Sequence, residues 1–303
     1  MTTTASTLPA RRVLLALAVV AIWGSNFAVI KVALATLPPL LFASLRFVIA
    51  LVPAVFFLAR PRVPWRNLAA YGVLIGVGQF GLMYLAVTRY ISPGLASLVV
   101  QTQVLFTIGF SLWRGGERIR PFQMVALVCA AVGLGIIVAH TDRQTTPLGL
   151  VLVLGAALSW SGGNLVARST PGVNMLAYVV WASLFSVPPL VALSLIFEGP
   201  TAMVAGVRNA TLANWLAVLW QSAGNTLFGY AAWGWLLARH PATTVMPMAL
   251  LVPVFGMGAS AWWLGESLPP WKLLAAAFVM LGLGLNLLWP WLRLFLRSSA
   301  GNR

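Results

Sequence analysis

Long apolar runs alternate with short breaks of polar, glycine and proline residues along almost the whole chain. The runs are roughly 18 to 25 residues long, enough to cross a ~30 Å hydrocarbon core as a helix that rises about 1.5 Å per residue. Lipid offers backbone amides and carbonyls no hydrogen bonds, so such runs must be helical. The pattern predicts an all-α integral membrane protein with ten transmembrane helices near residues 13–33, 39–58, 68–88, 93–113, 121–139, 147–167, 174–196, 212–237, 243–264 and 270–290.

Composition indicates that the protein's partner is the lipid bilayer. Of the 303 residues, 60% are hydrophobic and 8% are charged, whereas soluble proteins carry about a quarter charged residues. Arg11 and Arg12 precede the first apolar run, and this order resembles a secretory signal peptide. That run continues to Leu34 with no small-residue cleavage site, and we therefore expect a retained span.

The net charge of +15 raises the question of nucleic-acid binding. The basic residues form no continuous face; they flank the apolar runs, as topology determinants do. With the N-terminus inside, the cytoplasmic segments carry Arg11, Arg12, Arg60, Arg62, Arg66, Arg114, Arg118, Arg120, Arg168, Arg239, Arg293, Arg297 and Arg303, and the outer segments carry Arg89, Arg143, Arg208 and Lys272. This asymmetry predicts a multi-pass protein of the bacterial inner (plasma) membrane with cytoplasmic N- and C-termini and no nucleic-acid partner.

An internal repeat divides the chain into two halves. At a constant offset of 149, Gly116, Glu117, Pro121, Gly133 and Gly135 recur as Gly265, Glu266, Pro270, Gly282 and Gly284. A weaker offset of 138 matches Gly24 and Asn26 to Gly162 and Asn164. Five spans per half is an odd number, so the halves insert in opposite senses, as in alternating-access carriers with a central site. The sequence predicts two inverted five-helix repeats, at 1–140 and 141–292, and a cytoplasmic tail at 293–303.

Several motifs carry a family resemblance. The stretch Trp23-Gly24-Ser25-Asn26-Phe27, the repeated Gly-Glu pair and the two five-span halves resemble the drug/metabolite transporter superfamily. Within it, the chain resembles the EamA family, and four stretches are similar to the bacterial exporters of O-acetylserine and cysteine: 29–32, 45–47, 94–99 and 250–254. The resemblance implies a carrier that exports small amino-acid-type metabolites, with Arg46, Gln101 and Gln103 favouring this subgroup. Efflux of other amino acids or of hydrophobic drugs stays open, because the superfamily handles many substrates.

A zwitterionic substrate needs donors for its carboxylate and acceptors or an aromatic face for its ammonium group. Residues of those types share helix faces on several spans, and a stripe of four-residue steps on the eighth span is too polar to face lipid. Interhelical packing by amides and glycines is the alternative explanation. The predicted substrate-binding residues are Trp23, Asn26, Arg46, Gln79, Gln101, Trp160, Asn164, Trp181, Asn225 and Trp233.

Charged residues within or beside the spans need partners. Arg46 lies ~10 Å down the second helix, where an arginine costs roughly 2.5 to 3.5 kcal/mol. Backbone carbonyls at helix breaks, a lipid phosphate and a substrate carboxylate are the options. Lys31 is expected to reach the headgroups or to serve a gate. Glu117 and Glu266 are expected to stabilise the N-termini of the helices that follow them, or to steady gates.

No enzyme, metal or cofactor chemistry is predicted. The four acidic residues and two histidines lie in loops or at span ends and form no catalytic or metal-binding motif; an intramembrane protease is the remote alternative. The single cysteine, Cys129, excludes disulfides and CxxC motifs. Since no predicted span holds an ionisable proton relay, we expect uncoupled facilitated transport or exchange. Nothing in the sequence indicates an oligomeric state.

Overall fold

The computed structural model describes residues 9–115, 121–141, 145–240 and 245–300, and the regular elements within these ranges are all helices. Glu117 lies outside the described residues. The helices are α1 (Ala10–Ala33), α2 (Pro39–Ala54), α3 (Trp65–Arg89), α4 (Pro93–Val99, Val100–Thr102 and Gln103–Gly115), α5 (Pro121–Ala139), α6 (Pro147–Arg168), α7 (Met175–Phe197), α8 (Gly199–Asn209), α9 (Leu212–Leu219, Trp220–Phe228 and Gly229–Arg239), α10 (Met246–Leu251 and Val252–Leu264) and α11 (Pro270–Ala300).

Eight helices of the described chain are long and apolar enough to cross a membrane: α1, α3, α4, α5, α6, α7, α10 and α11. The prediction of an all-helical protein with several membrane-length helices is therefore confirmed. Helix α2 is apolar but has 16 residues, and α9 is interrupted by its polar stripe. Two features differ from the sequence prediction. A short helix, α8, occupies a predicted loop, and α11 continues to Ala300.

Prolines and polar caps define where helices begin. Pro39, Pro93 and Pro147 occupy the first turns of α2, α4 and α6, where a missing N–H costs nothing. Asn174 caps α7 by accepting bonds from two backbone amides. Thr211 caps α9 in a reciprocal capping box with the side chain of Asn214.

Helices α3 and α9 share one unusual geometry, and helices α4 and α10 share another. Within α3, Val73–Gly81 is π-helical, and within α9, Trp220–Phe228 is π-helical with the same length of nine residues. Helices α4 and α10 each contain a 3₁₀ segment, at Val100–Thr102 and Met246–Leu251. Such local changes of helical pitch often mark functional sites.

Helices α5 and α11 cross with a reciprocal glycine contact. A Cβ at Gly133 would lie 2.9 Å from the carbonyl oxygen of Ala275, and a Cβ at Gly282 would lie 2.6 Å from the carbonyl oxygen of Ala126. The offset of 149 that relates Gly133 to Gly282 also relates Ala126 to Ala275. The two helices pack antiparallel, because the higher-numbered residue of one meets the lower-numbered residue of the other.

Replacing Gly282 with alanine is expected to destabilise the protein by about 1 to 3 kcal/mol, because the new methyl group must displace the backbone of α5. Gly284→Ala is the matched control: it lies two residues away in the same helix, and a Cβ there meets nothing within 4 Å. Thermal unfolding in detergent measures both variants. Equal stability of the two variants would show that the crossing tolerates an extra methyl group.

Helices α2 and α7 also pack antiparallel along their lengths. At one end, the backbone amide of Leu40 donates to Glu198 Oε1 at 2.6 Å. At the other end, Trp181 Nε1 donates to the carbonyl of Leu58 at 2.9 Å. Glycines in α3 allow a close approach to this pair; a Cβ at Gly72 would lie 2.3 Å from the backbone oxygen of Ala182 in α7.

Candidate functional site

The largest fully buried side chains include an arginine and a tyrosine that touch each other. Arg46 of α2 is 1% exposed, and its Nη1 donates to the hydroxyl of Tyr84 in α3 at 3.0 Å. Its Nη2 donates to Thr226 Oγ1 of α9 at 2.8 Å. The guanidinium lies 3.6 Å from the centroid of the Phe80 ring, a close cation–π contact. Arg46 thus joins α2 to α3 and to α9 in the protein interior.

The π-helical segments place the groups around Arg46. Phe80 belongs to the segment in α3, and Gln221 and Thr226 belong to the segment in α9. The hydroxyl of Thr226 donates to the carbonyl of Gln221 at 2.9 Å, a contact five residues back along the helix. Ser222 Oγ donates to the backbone carbonyl of Arg46 at 2.9 Å and so fixes α2 against α9.

A chain of hydrogen bonds orients the amide of Gln221. The Tyr84 hydroxyl accepts from Arg46, which leaves its proton to donate to Gln221 Oε1 at 3.0 Å. Asn225 Nδ2 donates to the same oxygen at 3.3 Å. With its oxygen accepting twice, Gln221 directs its Nε2 amide group elsewhere.

Four buried polar atoms near this level have no hydrogen-bond partner among the described residues. Two are donors, Arg46 Nε and Gln221 Nε2, and two are acceptors, Asn26 Oδ1 and Gln79 Oε1. The four residues are 0 to 7% exposed. Each buried polar atom without a hydrogen bond lowers the stability of the fold by about 1 to 3 kcal/mol. Such atoms are therefore rare in native structures, and a group of them is typical of a site that binds a ligand.

The helix register places Asn26 at the level of Gln221. Helices α1 and α9 run antiparallel: Arg12 bonds His240, Trp23 Nε1 donates to the Asn225 carbonyl at 3.2 Å, and Asn214 donates to the Val32 carbonyl at 3.0 Å. Asn26 lies three residues after Trp23 and shares its helix face. Interpolation between these contacts puts it level with the start of the π-helical segment of α9.

Aromatic side chains border the cluster on the α1 side. The rings of Trp23 and Trp233 lie 5.2 Å apart, and Tyr230 lies 6.0 Å from Trp23. Gly229 makes room for this arrangement, because a Cβ there would lie 2.4 Å from Trp23 Nε1. The polar stripe predicted on the eighth span therefore packs against α1, with Asn225 and Trp233 buried.

Asn164 and Trp160 lie apart from the Arg46 cluster. Asn164 of α6 donates to Gln103 Oε1 of α4 at 3.2 Å, and the nearby hydroxyls of Thr107 and Ser161 are 2.8 Å apart. The structure thus gives Asn164 a role in the contact between α4 and α6 instead of a shared contact with Asn26. Trp160 packs half-buried against the core, and Gln101 is buried in the 3₁₀ segment of α4.

Trp181 lies at the end of the bundle that holds the loop between α2 and α3. Its indole donates to the carbonyl of Leu58 and its ring lies 6.2 Å from that of Trp65. Leu58 and Trp65 flank the loop between α2 and α3, three turns beyond Arg46. The structure does not bring Trp181 to the Arg46 cluster.

The charged side chains at helix ends tie helices to one another. Lys31 Nζ donates to the carbonyls of Val87 and Thr88 in the last turn of α3, at 3.0 and 2.8 Å. The expectation that Lys31 reaches the headgroups is thus replaced by a helix-end bond between α1 and α3. Cations are favourable at this position because the C-terminal end of a helix dipole is negative.

Glu266 stabilises a helix N-terminus, but of α4 and not of the helix that follows it. Its Oε2 accepts from the amide of Gly94 at 2.9 Å, and its Oε1 accepts from Ser92 Oγ at 2.5 Å. Lys272 Nζ lies 3.0 Å from the same Oε1, and both side chains are 6% exposed. Glu198 does the same for α2, so both carboxylates cap helices that lie far earlier in the chain.

Sequence reasoning missed the residues that hold Arg46. Tyr84 lies five residues after the predicted Gln79, and Thr226 lies next to the predicted Asn225, but on neighbouring helix faces. The π-helical turns rotate these faces, and an ordinary helical period does not include that rotation. A buried arginine in a sequence without interior carboxylates was the available signal that hydroxyl groups must serve as partners.

The electrostatic character of the cluster follows from these contacts. Both carboxylates of the described residues, Glu198 and Glu266, are bound at helix N-termini. The Arg46 charge is met by two hydroxyl groups and by the rings of Phe47 and Phe80. A buried cation without an anion is costly. The arrangement therefore favours an entering anionic group.

A bundle of membrane-length apolar helices around a buried polar cluster is typical of membrane transport proteins. The comparisons with known proteins agree: the EamA-like transporter family matches residues 10–139 and 147–288. The chain belongs to the EamA-like transporter family of the drug/metabolite transporter superfamily, and it is a multi-pass membrane transporter.

Two relatives and one solved structure resemble the chain along most of its length. A probable amino-acid metabolite efflux pump of Escherichia coli (strain K12) is 38% identical, covering 90% of this chain and 93% of that protein. The protein of the same name from Salmonella typhimurium is 37% identical with the same coverage. A solved crystal structure matches with a TM-score of 0.61 at 19% identity, covering 93% of this chain and 98% of that chain, which supports the fold.

Proposed function

We propose that this transporter exports small amino-acid-type metabolites similar to O-acetylserine and cysteine, and that Arg46 binds the substrate carboxylate. The observation that carries the proposal is a buried guanidinium whose Nε is free and whose other contacts are neutral. A carboxylate would accept from the free Nε and would supply the negative charge that the hydroxyl partners lack, in the bidentate geometry that guanidinium groups favour.

The unpartnered atoms match the two ends of a zwitterion. Arg46 Nε and Gln221 Nε2 supply donors for a carboxylate, and Asn26 Oδ1 and Gln79 Oε1 supply acceptors for an ammonium group. Trp23 and the aromatic residues beside it offer a π face to the cation. The names of the two similar efflux pumps support the same substrate class.

Two other substrate classes are alternatives. Other amino acids are chemically similar to O-acetylserine and cysteine, whereas hydrophobic cations, as in drug efflux, are not. The fixed charge of Arg46 opposes a cation in the central site, because like charges in a poorly solvated interior repel strongly. Amino acids other than O-acetylserine and cysteine carry the same two ionic groups, so side-chain size would set the choice among them. An intramembrane enzyme finds no support in the family match.

We also propose that the chain forms ten spans in two inverted repeats, at 1–140 and 141–292, followed by a tail at 293–303. The family matches the chain in two stretches of similar length. The π-helical and 3₁₀ segments occur on equivalent helices of each half. Equivalent helices also pack antiparallel, in α2 with α7 and in α5 with α11, as an inverted repeat requires.

Alternating access requires bonds that break on one side at a time. Four hydrogen-bonded contacts between helices lie at one end of the bundle. Glu198 accepts from the start of α2, and Glu266 accepts from the start of α4. Asn214 donates to the end of α1, and Lys31 donates to the end of α3. Three of them join the two halves. We propose that these bonds close the outer side, and that Glu266 acts there as a gate residue.

Counterflow in proteoliposomes tests the substrate proposal. Vesicles loaded with unlabelled O-acetylserine should accumulate labelled O-acetylserine and cysteine, and protein-free vesicles should not. Cysteamine, which lacks the carboxylate, should exchange poorly. Exchange of a hydrophobic dye cation without exchange of either amino acid would replace this proposal with drug efflux.

Both termini are expected on the cytoplasmic side, because the basic residues outside the spans concentrate in the segments that this orientation places inside. Reporter fusions after Arg143 should behave as periplasmic, and fusions after Arg297 as cytoplasmic. The opposite behaviour at either position would contradict an orientation with ten spans and an internal N-terminus.

A further inference from the structure

The loop between α2 and α3 combines exposed arginines with exposed aromatic side chains. Arg60, Arg62 and Arg66 are exposed within seven residues of sequence. Just before them, Phe56 and Phe57, which follow the end of α2, are 80% and 87% exposed. In a membrane protein, this order places aromatic rings at the level of the acyl chains and guanidinium groups at the level of the headgroups.

The loop borders an open depression at the protein surface. Residues 60–64 line this depression, which has a volume of ≈ 450 Å³. Arg60 Nη2 donates to the carbonyl of Val63 at 3.0 Å, and its guanidinium lies 3.8 Å from the centroid of the Trp65 ring. Pro61 and Pro64 restrict the backbone, and Val63 is buried as an anchor. Arg60 therefore has little conformational entropy to lose on binding a ligand.

The loop has no neutralising carboxylate within the described ranges of the chain. Glu198 and Glu266 are bound to the N-termini of α2 and α4, and residue 40 at the start of α2 is a full helix away from Arg60. Arg62 therefore presents an uncompensated guanidinium. Phosphate oxygens are the anions that guanidinium groups bind in bidentate geometry.

We infer that this loop is a binding site for one anionic glycerophospholipid, such as phosphatidylglycerol. Arg60 and Arg62 hold the phosphate, and the acyl chains lie against Phe56 and Phe57. Basic pockets at the membrane surface bind lipid headgroups in this way. The bound lipid would fix the α2–α3 connection, which Trp181 joins to α7 through the Leu58 carbonyl, and would so stabilise the helix that carries Arg46.

Native mass spectrometry of the purified protein in mixed micelles tests the inference. With equal amounts of phosphatidylglycerol and phosphatidylethanolamine, the wild type should retain one phosphatidylglycerol in preference. Arg60→Gln/Arg62→Gln should weaken that binding about fivefold for each arginine. Arg89→Gln/Arg208→Gln is the matched control: it removes the same charge from two other exposed positions and should bind like the wild type.

A second pair of variants distinguishes a lipid from a free phosphate. Phe56→Ser/Phe57→Ser should lose the lipid adduct while the arginines remain, and sn-glycerol 3-phosphate should compete poorly with the lipid. Equal adducts in all variants, equal retention of phosphatidylethanolamine, or full competition by glycerol phosphate would each overturn the inference. Matching melting temperatures in lipid-free detergent would show that the variants are folded.

Discussion

Replacing Arg46 with glutamine is expected to reduce transport of carboxylate-bearing substrates at least about 30-fold. A buried charge pair that loses one partner costs roughly 2 kcal/mol or more, and Arg46 is 1% exposed with its Nε free. Arg46→Lys should give an intermediate rate, because it keeps the charge but loses the planar fork. Counterflow rates in proteoliposomes at matched protein content measure all three proteins.

Two comparisons assign the effect to carboxylate binding. Cysteamine transport, already slow in the wild type, should not fall further in Arg46→Gln. Arg208→Gln removes one positive charge at an exposed position and should transport amino acids normally. Equal losses for acids and amines, together with less protein in the membrane, would instead make Arg46 a residue that the fold requires.

Replacing Glu266 with glutamine is expected to destabilise the protein by roughly 3 to 5 kcal/mol, because Lys272 would stay buried without its partner. The pair is 3.0 Å apart and 6% exposed on both sides. The variant also weakens the bond to the Gly94 amide at the start of α4. Chemical or thermal unfolding in detergent micelles measures the loss.

The double variant Glu266→Gln/Lys272→Met should recover at least half of that stability, since it removes both buried charges. Glu198→Gln should cost less than Glu266→Gln, because the described contacts of Glu198 are to backbone amides and to Ser194 and include no ion pair. If Glu266→Gln were as stable as the wild type, the pair would not hold α4 to the second half.

The general fold was predictable from the sequence because lipid imposes a simple rule on backbone groups. Apolar length predicted each helix from α1 to α7, and prolines at first turns located several helix starts. The amphipathic helix α8 was missed, since its moderate polarity reads as a loop when apolar length is the criterion. The π-helical turns of α3 and α9 were also missed, because their sequences fit an ordinary helix equally well.

The site was predictable in its residue types but not in its contacts. Arg46 was expected to need a partner, yet its partners proved to be Tyr84, Thr226 and Phe80. Asn26 and Asn164 occupy matching sequence positions, but Asn164 bonds Gln103 of α4 whereas Asn26 Oδ1 has no partner among the described residues. Such choices depend on which helix faces meet, and periodicity within one helix does not specify its neighbours. Glu266 shows the same limit, since its partner helix lies 172 residues earlier in the chain.

The most direct test of the central claim is the affinity of the wild-type protein for O-acetylserine and for its carboxamide, measured by titration of purified protein. The two ligands have nearly the same size and differ in the charge of one group. If Arg46 binds the carboxylate, the dissociation constant of the carboxamide should be at least about 30-fold higher. Equal dissociation constants for the two ligands would contradict a carboxylate site at Arg46.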